Sequence, residues 1–144
     1  MVPAAADPVT VFAVDDHPAF LVTVGMVVGA TPGFDLVGTA TSSAAALEAL
    51  AASTIVADGG PDLILVDVVM PDGTGFDFVR RYRERGGRAA VILMSSYEPD
   101  DLPAEIVGPS GLGQSAFIAK NELLPGLLAT LWDRVAADES PSNR

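Results

Sequence analysis

The sequence predicts an α/β domain built around a parallel β-sheet, and three observations carry that prediction. Short runs rich in Val, Ile and Leu recur along the chain, and longer segments of helical character separate them. Acidic, hydroxyl or basic residues then follow directly on several of the apolar runs. The 144 residues suffice for one compact domain and leave little for a second. Apolar residues make up 49% of the chain, ample for a core, and 14 Gly with 11 Pro can punctuate many short elements.

Taken in order, Val9–Val14 reads as the first strand and runs into Asp15 and Asp16. Pro18 suits a first helical turn and opens a helix to about Ala30. Asp35–Ala40 is a weaker second strand, after which Ser42 and Ser43 can cap an Ala-rich helix to about Ala52. Leu63–Val66 is a buried strand ending at Asp67. Asp72 or Thr74 can cap a third helix through about Arg85, with Phe76, Val79 and Tyr82 on one face. Ala90–Met94 and Ser115–Ala119 are the last two strands. Leu123–Ala136 closes the domain as an amphipathic helix carrying Leu127, Leu128, Leu131 and Val135. Between the last two strands, Glu98–Gln114 is broken by Pro and Gly, so a fourth helix there is expected to be short or distorted. The acidic, Pro-containing ends, residues 1–8 and 138–144, are expected to be disordered tails of a domain spanning 9–137.

Composition removes several classes of function. Without a single Cys, neither a disulfide framework nor a thiolate metal site is possible. A net charge of −11 argues against nucleic acid as a direct partner, because phosphate backbones call for Lys and Arg. Arg80, Arg81, Arg83, Arg85 and Arg88 do crowd together, which is ordinarily a solvated helix face and alternatively a docking patch. The N-terminus lacks the charged and apolar regions of a secretory signal. The longest apolar run, Phe20 to Ala30, is about half a bilayer span and contains Gly25 and Gly29, so a soluble, cytoplasmic protein is expected. That run has no charged residue, and a helix apolar all round needs cover all round. The helices of a partner protein or a second copy of the chain could cover it, unless Gly, Ala and Thr fill the outer face.

Asp15, Asp16 and Asp67 stand at the C-terminal ends of two apolar strands. Singly, such an aspartate is a turn residue or a helix cap. Ligands of open parallel sheets bind beyond the carboxyl ends of the strands, so adjacent strands would gather all three into one crevice. Two unit charges about 4 Å apart repel by roughly 4 kcal/mol at an effective dielectric near 20, so one carboxylate protonates or a cation joins them. Mg²⁺, a hard ion satisfied by a few carboxylates and phosphate oxygens, suits the set. Ser95 after the fourth strand and Lys120 after the fifth would add a hydroxyl and an ammonium for phosphoryl oxygens.

The segments AVDDHP, LILVDVVMPDGTGF, VILMSSY and SAFIAK, in this order, resemble the receiver domain of bacterial two-component response regulators. DDHP, and a Lys not followed by Pro, look most like receivers joined to helix-turn-helix output domains of the LuxR/NarL kind. The resemblance covers about residues 9–137 and implies a flavodoxin-like doubly wound (βα)5 fold with strand order 2-1-3-4-5. It implies a signalling switch rather than an enzyme, phosphorylated on Asp67 by a histidine kinase or phosphotransfer protein. By the same resemblance, Asp16, Asp67 and the backbone carbonyl of Val69 would hold Mg²⁺, and Asp15 would act through a water. Lys120 would bind the phosphoryl group, Ser95 would be the switch hydroxyl, and Phe117 the aromatic that moves with it. Phe117 could equally be plain core. Val69 and Tyr97 lack the groups that activate a hydrolytic water, so slow self-dephosphorylation is expected.

Three alternatives compete. A Mg²⁺-dependent phosphatase would want a second Asp two residues after the nucleophile, where Val69 stands. A flavodoxin-like cofactor binder would want a Ser-, Thr- and Gly-rich loop after the first strand, where AVDDHP stands. The third is a different context for the same domain: a piece of a DNA-binding regulator, or a non-signalling protein-interaction module. No helix-turn-helix is visible after residue 137, so a stand-alone regulator is the expectation.

Overall fold

The computed structural model describes residues 8–51, 60–96 and 115–139. Five strands, β1 (Val9–Val14), β2 (Phe34–Ala40), β3 (Leu63–Asp67), β4 (Ala90–Ser95) and β5 (Ser115–Ala119), form one sheet in the order β2-β1-β3-β4-β5. Every neighbouring pair is parallel. The helices are α1 (Pro18–Gly29), α2 (Ser43–Ala51), α3 (Gly75–Glu84) and the closing helix α4 (Pro125–Glu139). This is the doubly wound, flavodoxin-like arrangement and strand order that the resemblance implies.

Side-chain alternation along the strands explains the two covered faces. Val11, Ala13, Leu63, Leu65, Ile92 and Met94 join one buried cluster with Val24, Val27 and Val28 of α1 and Leu128, Leu131 and Val135 of α4. Phe12, Val14, Ile64, Val66, Val91 and Leu93 face the other way, onto Leu47 of α2 and Phe78, Val79 and Tyr82 of α3. Removing such a side chain from water contributes about 1.5–3 kcal/mol, so the apolar strand runs dictate the sandwich.

Local chemistry sets several boundaries, and some differ from expectation. Thr74 caps α3, accepting from the Asp77 N–H, while Asp77 accepts in return from the Thr74 N–H. Asp72, the other candidate cap for α3, serves α2 instead: its carboxylate accepts from the Ser43 and Ala44 N–H groups at 3.2 and 3.1 Å. Ser42 Oγ caps the same helix by accepting from Ala45 N–H. The closing helix starts at Pro125, after a short 3-10 turn over Lys120–Glu122, and runs through Glu139, so residues 138 and 139 belong to it rather than to a tail. Nor are small residues the whole outer face of α1, since Val22 and Met26 are 64% and 69% exposed there. The expected fourth helix within 98–114 and the terminal segments 1–7 and 140–144 lie outside the described residues.

Candidate functional site

Parallel pairing brings four strand ends to one edge. Val14 pairs with Val66, Asp67 with Met94 and Ser95 with Ala119, so Asp15, Asp67, Ser95 and Lys120 emerge side by side. The ladder tightens these ends further: Asp15 N–H donates to the Ala40 carbonyl and Val68 N–H to the Met94 carbonyl. Gly75 is also needed here. A Cβ on it would stand 2.5 Å from the Asp67 carbonyl oxygen, so only glycine lets the start of α3 pack so close to the end of β3.

Asp15 is fully buried, Asp67 nearly so, and Asp16 partly exposed. The Lys120 ammonium lies 2.6 Å from Asp15 Oδ2 and 3.3 Å from Asp67 Oδ2. His17 Nδ1 lies 2.9 Å from Asp15 Oδ1, 3.1 Å from Asp16 Oδ1 and 3.9 Å from Asp67 Oδ2. The His17 N–H also donates to Asp15 Oδ1, turning the chain out of β1 toward α1. Val69, half exposed, donates its N–H to Asp67 Oδ1 at 3.3 Å. Burial, and then the neighbouring charge of Asp15, push the Asp67 carboxyl above its ordinary value, outweighing Lys120 and the Val69 N–H, which pull it down.

A cleft of about 460 Å³ opens over these groups, bounded by Asp16, His17, Asp67, Val69, Pro71 and Ser95. Donor atoms of Asp15, Asp16, His17 and Asp67 all lie within 4.8 Å of one another. Asp15 Oδ2 and Asp16 Oδ1 are buried without a well-directed hydrogen bond, although Lys120 sits against the first as an ion pair. Under-satisfied anionic oxygens converging on one point fit a hard divalent cation.

Most sequence-predicted residues meet here. Ser95 is buried at the end of β4 and lines the cleft. Phe117 is half-buried against the α2–α3 side of the core. Tyr97 lies outside the described residues. Sequence reasoning passed over two neighbours. His17 could have been found from its adjacency to two aspartates. Phe20, whose ring lies 4.7 Å from Lys120 Nζ, left no comparable signal.

An open parallel sheet with a buried, strand-end aspartate, further carboxylates for a cation and a lysine beside them defines a phospho-acceptor domain. Residues 11–131 match the family described as response regulator receiver domain, and the chain belongs to it. It is 33% identical over 107 residues to the nitrate/nitrite response regulator protein NarL of Escherichia coli K12, covering 73% of this chain and 47% of that protein. The chain therefore spans about half the length of the curated relatives it matches. The solved receiver domain of a NarL from Mycobacterium tuberculosis superposes with a TM-score of 0.67 at 25% identity, covering 88% of this chain and 98% of that one. A chain from the crystal structure of the P1 domain of CheA3 in complex with CheY6 from R. sphaeroides also superposes, with a TM-score of 0.67 at 26% identity, covering 92% of this chain and 99% of that one. The domain is thus a phosphorylation-dependent signalling switch.

Proposed function

We propose that Asp67 is the phosphoryl acceptor, and the observation that carries this is its burial between Lys120 and the Asp15–Asp16 pair. A carboxylate oxygen of Asp67 attacks the phosphorus of a phosphohistidine on a histidine kinase or phosphotransfer protein. The P–N bond breaks as the P–O bond forms, and the released imidazole nitrogen takes a proton. Lys120, already 3.3 Å from Asp67 Oδ2, turns its ammonium to an oxygen of the transferred group. Asp16, Asp67 and the Val69 carbonyl would hold Mg²⁺, and Asp15 would contribute to the same site through a water. When bound, that ion offsets the negative charge of the transferring phosphoryl group.

Ser95, buried one strand over, supplies the hydroxyl that senses the acyl phosphate, and Phe117 on the neighbouring strand adjusts its rotamer with it. The domain performs no turnover beyond gaining and losing this group, and it works in the cytoplasm. Among the described residues, no helix is long and apolar enough to cross a membrane. The output is read by a protein, in keeping with a net charge of −11. Exposed Val22 and Met26 of α1 suit a partner's helical bundle or a second copy of this chain. Light scattering that shows a strict monomer at high concentration removes the homodimer.

Incubation with Mg²⁺ and acetyl phosphate, followed by intact-mass measurement, tests the reading. One added phosphoryl group in wild type and none in Asp67→Asn is expected. Phosphorylation that persists in the variant, or proceeds without a divalent cation, overturns it.

A further inference from the structure

Among the described residues, three groups hold the Lys120 ammonium, and one of them is aromatic. Its Nζ is 4.7 Å from the centroid of the Phe20 ring, well inside the roughly 6 Å reach of a cation–π contact. The Lys120 side chain is 10% exposed, so the contact is largely shielded from water. Phe20 sits in the first turn of α1 and, partly buried, packs against the cluster formed by α1, α4 and the sheet. Without such constraints a lysine at a strand end keeps its rotamer freedom, and ordering it costs free energy.

The three holds respond differently to chemistry. Asp15 at 2.6 Å and Asp67 at 3.3 Å attract Lys120 through their charge. That attraction weakens whenever a cation or a phosphoryl group engages the same oxygens. The quadrupole of the ring does not change with either event. It is the hold that persists through the reaction.

We propose that Phe20 is a positioning residue, whose ring face keeps the Lys120 ammonium over the acceptor edge of Asp67 while the carboxylate charges are being taken up. This rests on the reading of Lys120 as the phosphoryl-binding group. The competing account is that Phe20 fills space and its π-face is incidental.

The two accounts separate when the ring is altered without changing its shape. Phe20 is replaced in the full chain by phenylalanines carrying one, two and three ring fluorines, alongside Phe20→Leu and Phe20→Tyr. Two readouts are taken: the rate constant for phosphorylation by acetyl phosphate, and the ε-methylene proton shift of Lys120 in a ¹³C-lysine-labelled sample. The rate constant is expected to fall stepwise with fluorination and roughly tenfold in Phe20→Leu, with Phe20→Tyr close to wild type. In a Lys120→Ala background the dependence on fluorination should vanish. The Lys120 ε-methylene protons, shielded by the ring, should move downfield in Phe20→Leu. Rates that stay flat across the isosteric fluorinated series, with wild type phosphorylated normally, overturn the proposal and leave the site reading intact. A wild type that accepts no phosphoryl group at all overturns the site reading instead, and the shift measurement still decides whether the ring holds the ammonium.

Discussion

Lys120 Nζ lies closer to Asp15 Oδ2, at 2.6 Å, than to Asp67 Oδ2, at 3.3 Å. The lysine therefore balances charge for the whole pocket and not for Asp67 alone. Asp15 is fully buried, and a buried carboxylate stripped of its partner is among the costlier defects a fold can carry.

Lys120→Met should accordingly lower the stability of the metal-free protein by about 2–4 kcal/mol at neutral pH in urea unfolding. Added Mg²⁺ should restore part of the loss, because another cation then meets the same oxygens. An unchanged unfolding midpoint would show that the ion pair contributes nothing net.

Asp67→Asn should act in the opposite direction. Burial and the Asp15 charge raise the Asp67 pKa in the folded state. A raised folded pKa means that the group's contribution to stability is full below its unfolded value and is lost as pH rises through the folded one. At pH 7 without metal, Asp67 thus opposes folding, and the asparagine variant should melt higher than wild type. The gap should close as pH falls toward about 4, where unfolded aspartate also protonates. Melting curves at several pH values without divalent ions check this.

Asp72→Ala should cost about 1 kcal/mol, since it deprives α2 of the carboxylate that accepts from Ser43 and Ala44 N–H. Those two bonds, Ala44 first, hold the Asp72 carboxyl below its ordinary pKa. A depressed folded pKa supplies stability above the unfolded value that is lost as pH falls through the folded one. The difference between variant and wild type should therefore be full at neutral pH and shrink in acid below about pH 4. Acid titrations followed by circular dichroism read both effects.

Phosphorylated wild type should lose its phosphoryl group slowly. Val69 stands two residues after Asp67, is 52% exposed, and offers no side-chain group to orient a water. Val69→Asn should shorten the lifetime of the phosphorylated form after removal of acetyl phosphate. A wild-type half-life of seconds in that chase would contradict the expectation.

Much of this protein was legible from local pattern alone. A run such as Leu63–Val66 can be satisfied only between two covered faces, and all four of its residues are buried. Because side chains beyond parallel strand ends share one edge, the gathering of Asp15, Asp16, Asp67, Ser95 and Lys120 was legible in the sequence. What only the tertiary structure decided lies between residues distant in the chain. Asp72 turned from the nearby α3 to α2, where two N–H groups lacked partners and Thr74 had already filled the nearer cap. Phe20 met Lys120 because both flank the gathered strand ends, from α1 and from the turn after β5. Hydrophobic periodicity reports which face of an element is buried; it carries no information about which polar end meets which, and that is set by strand order and helix packing.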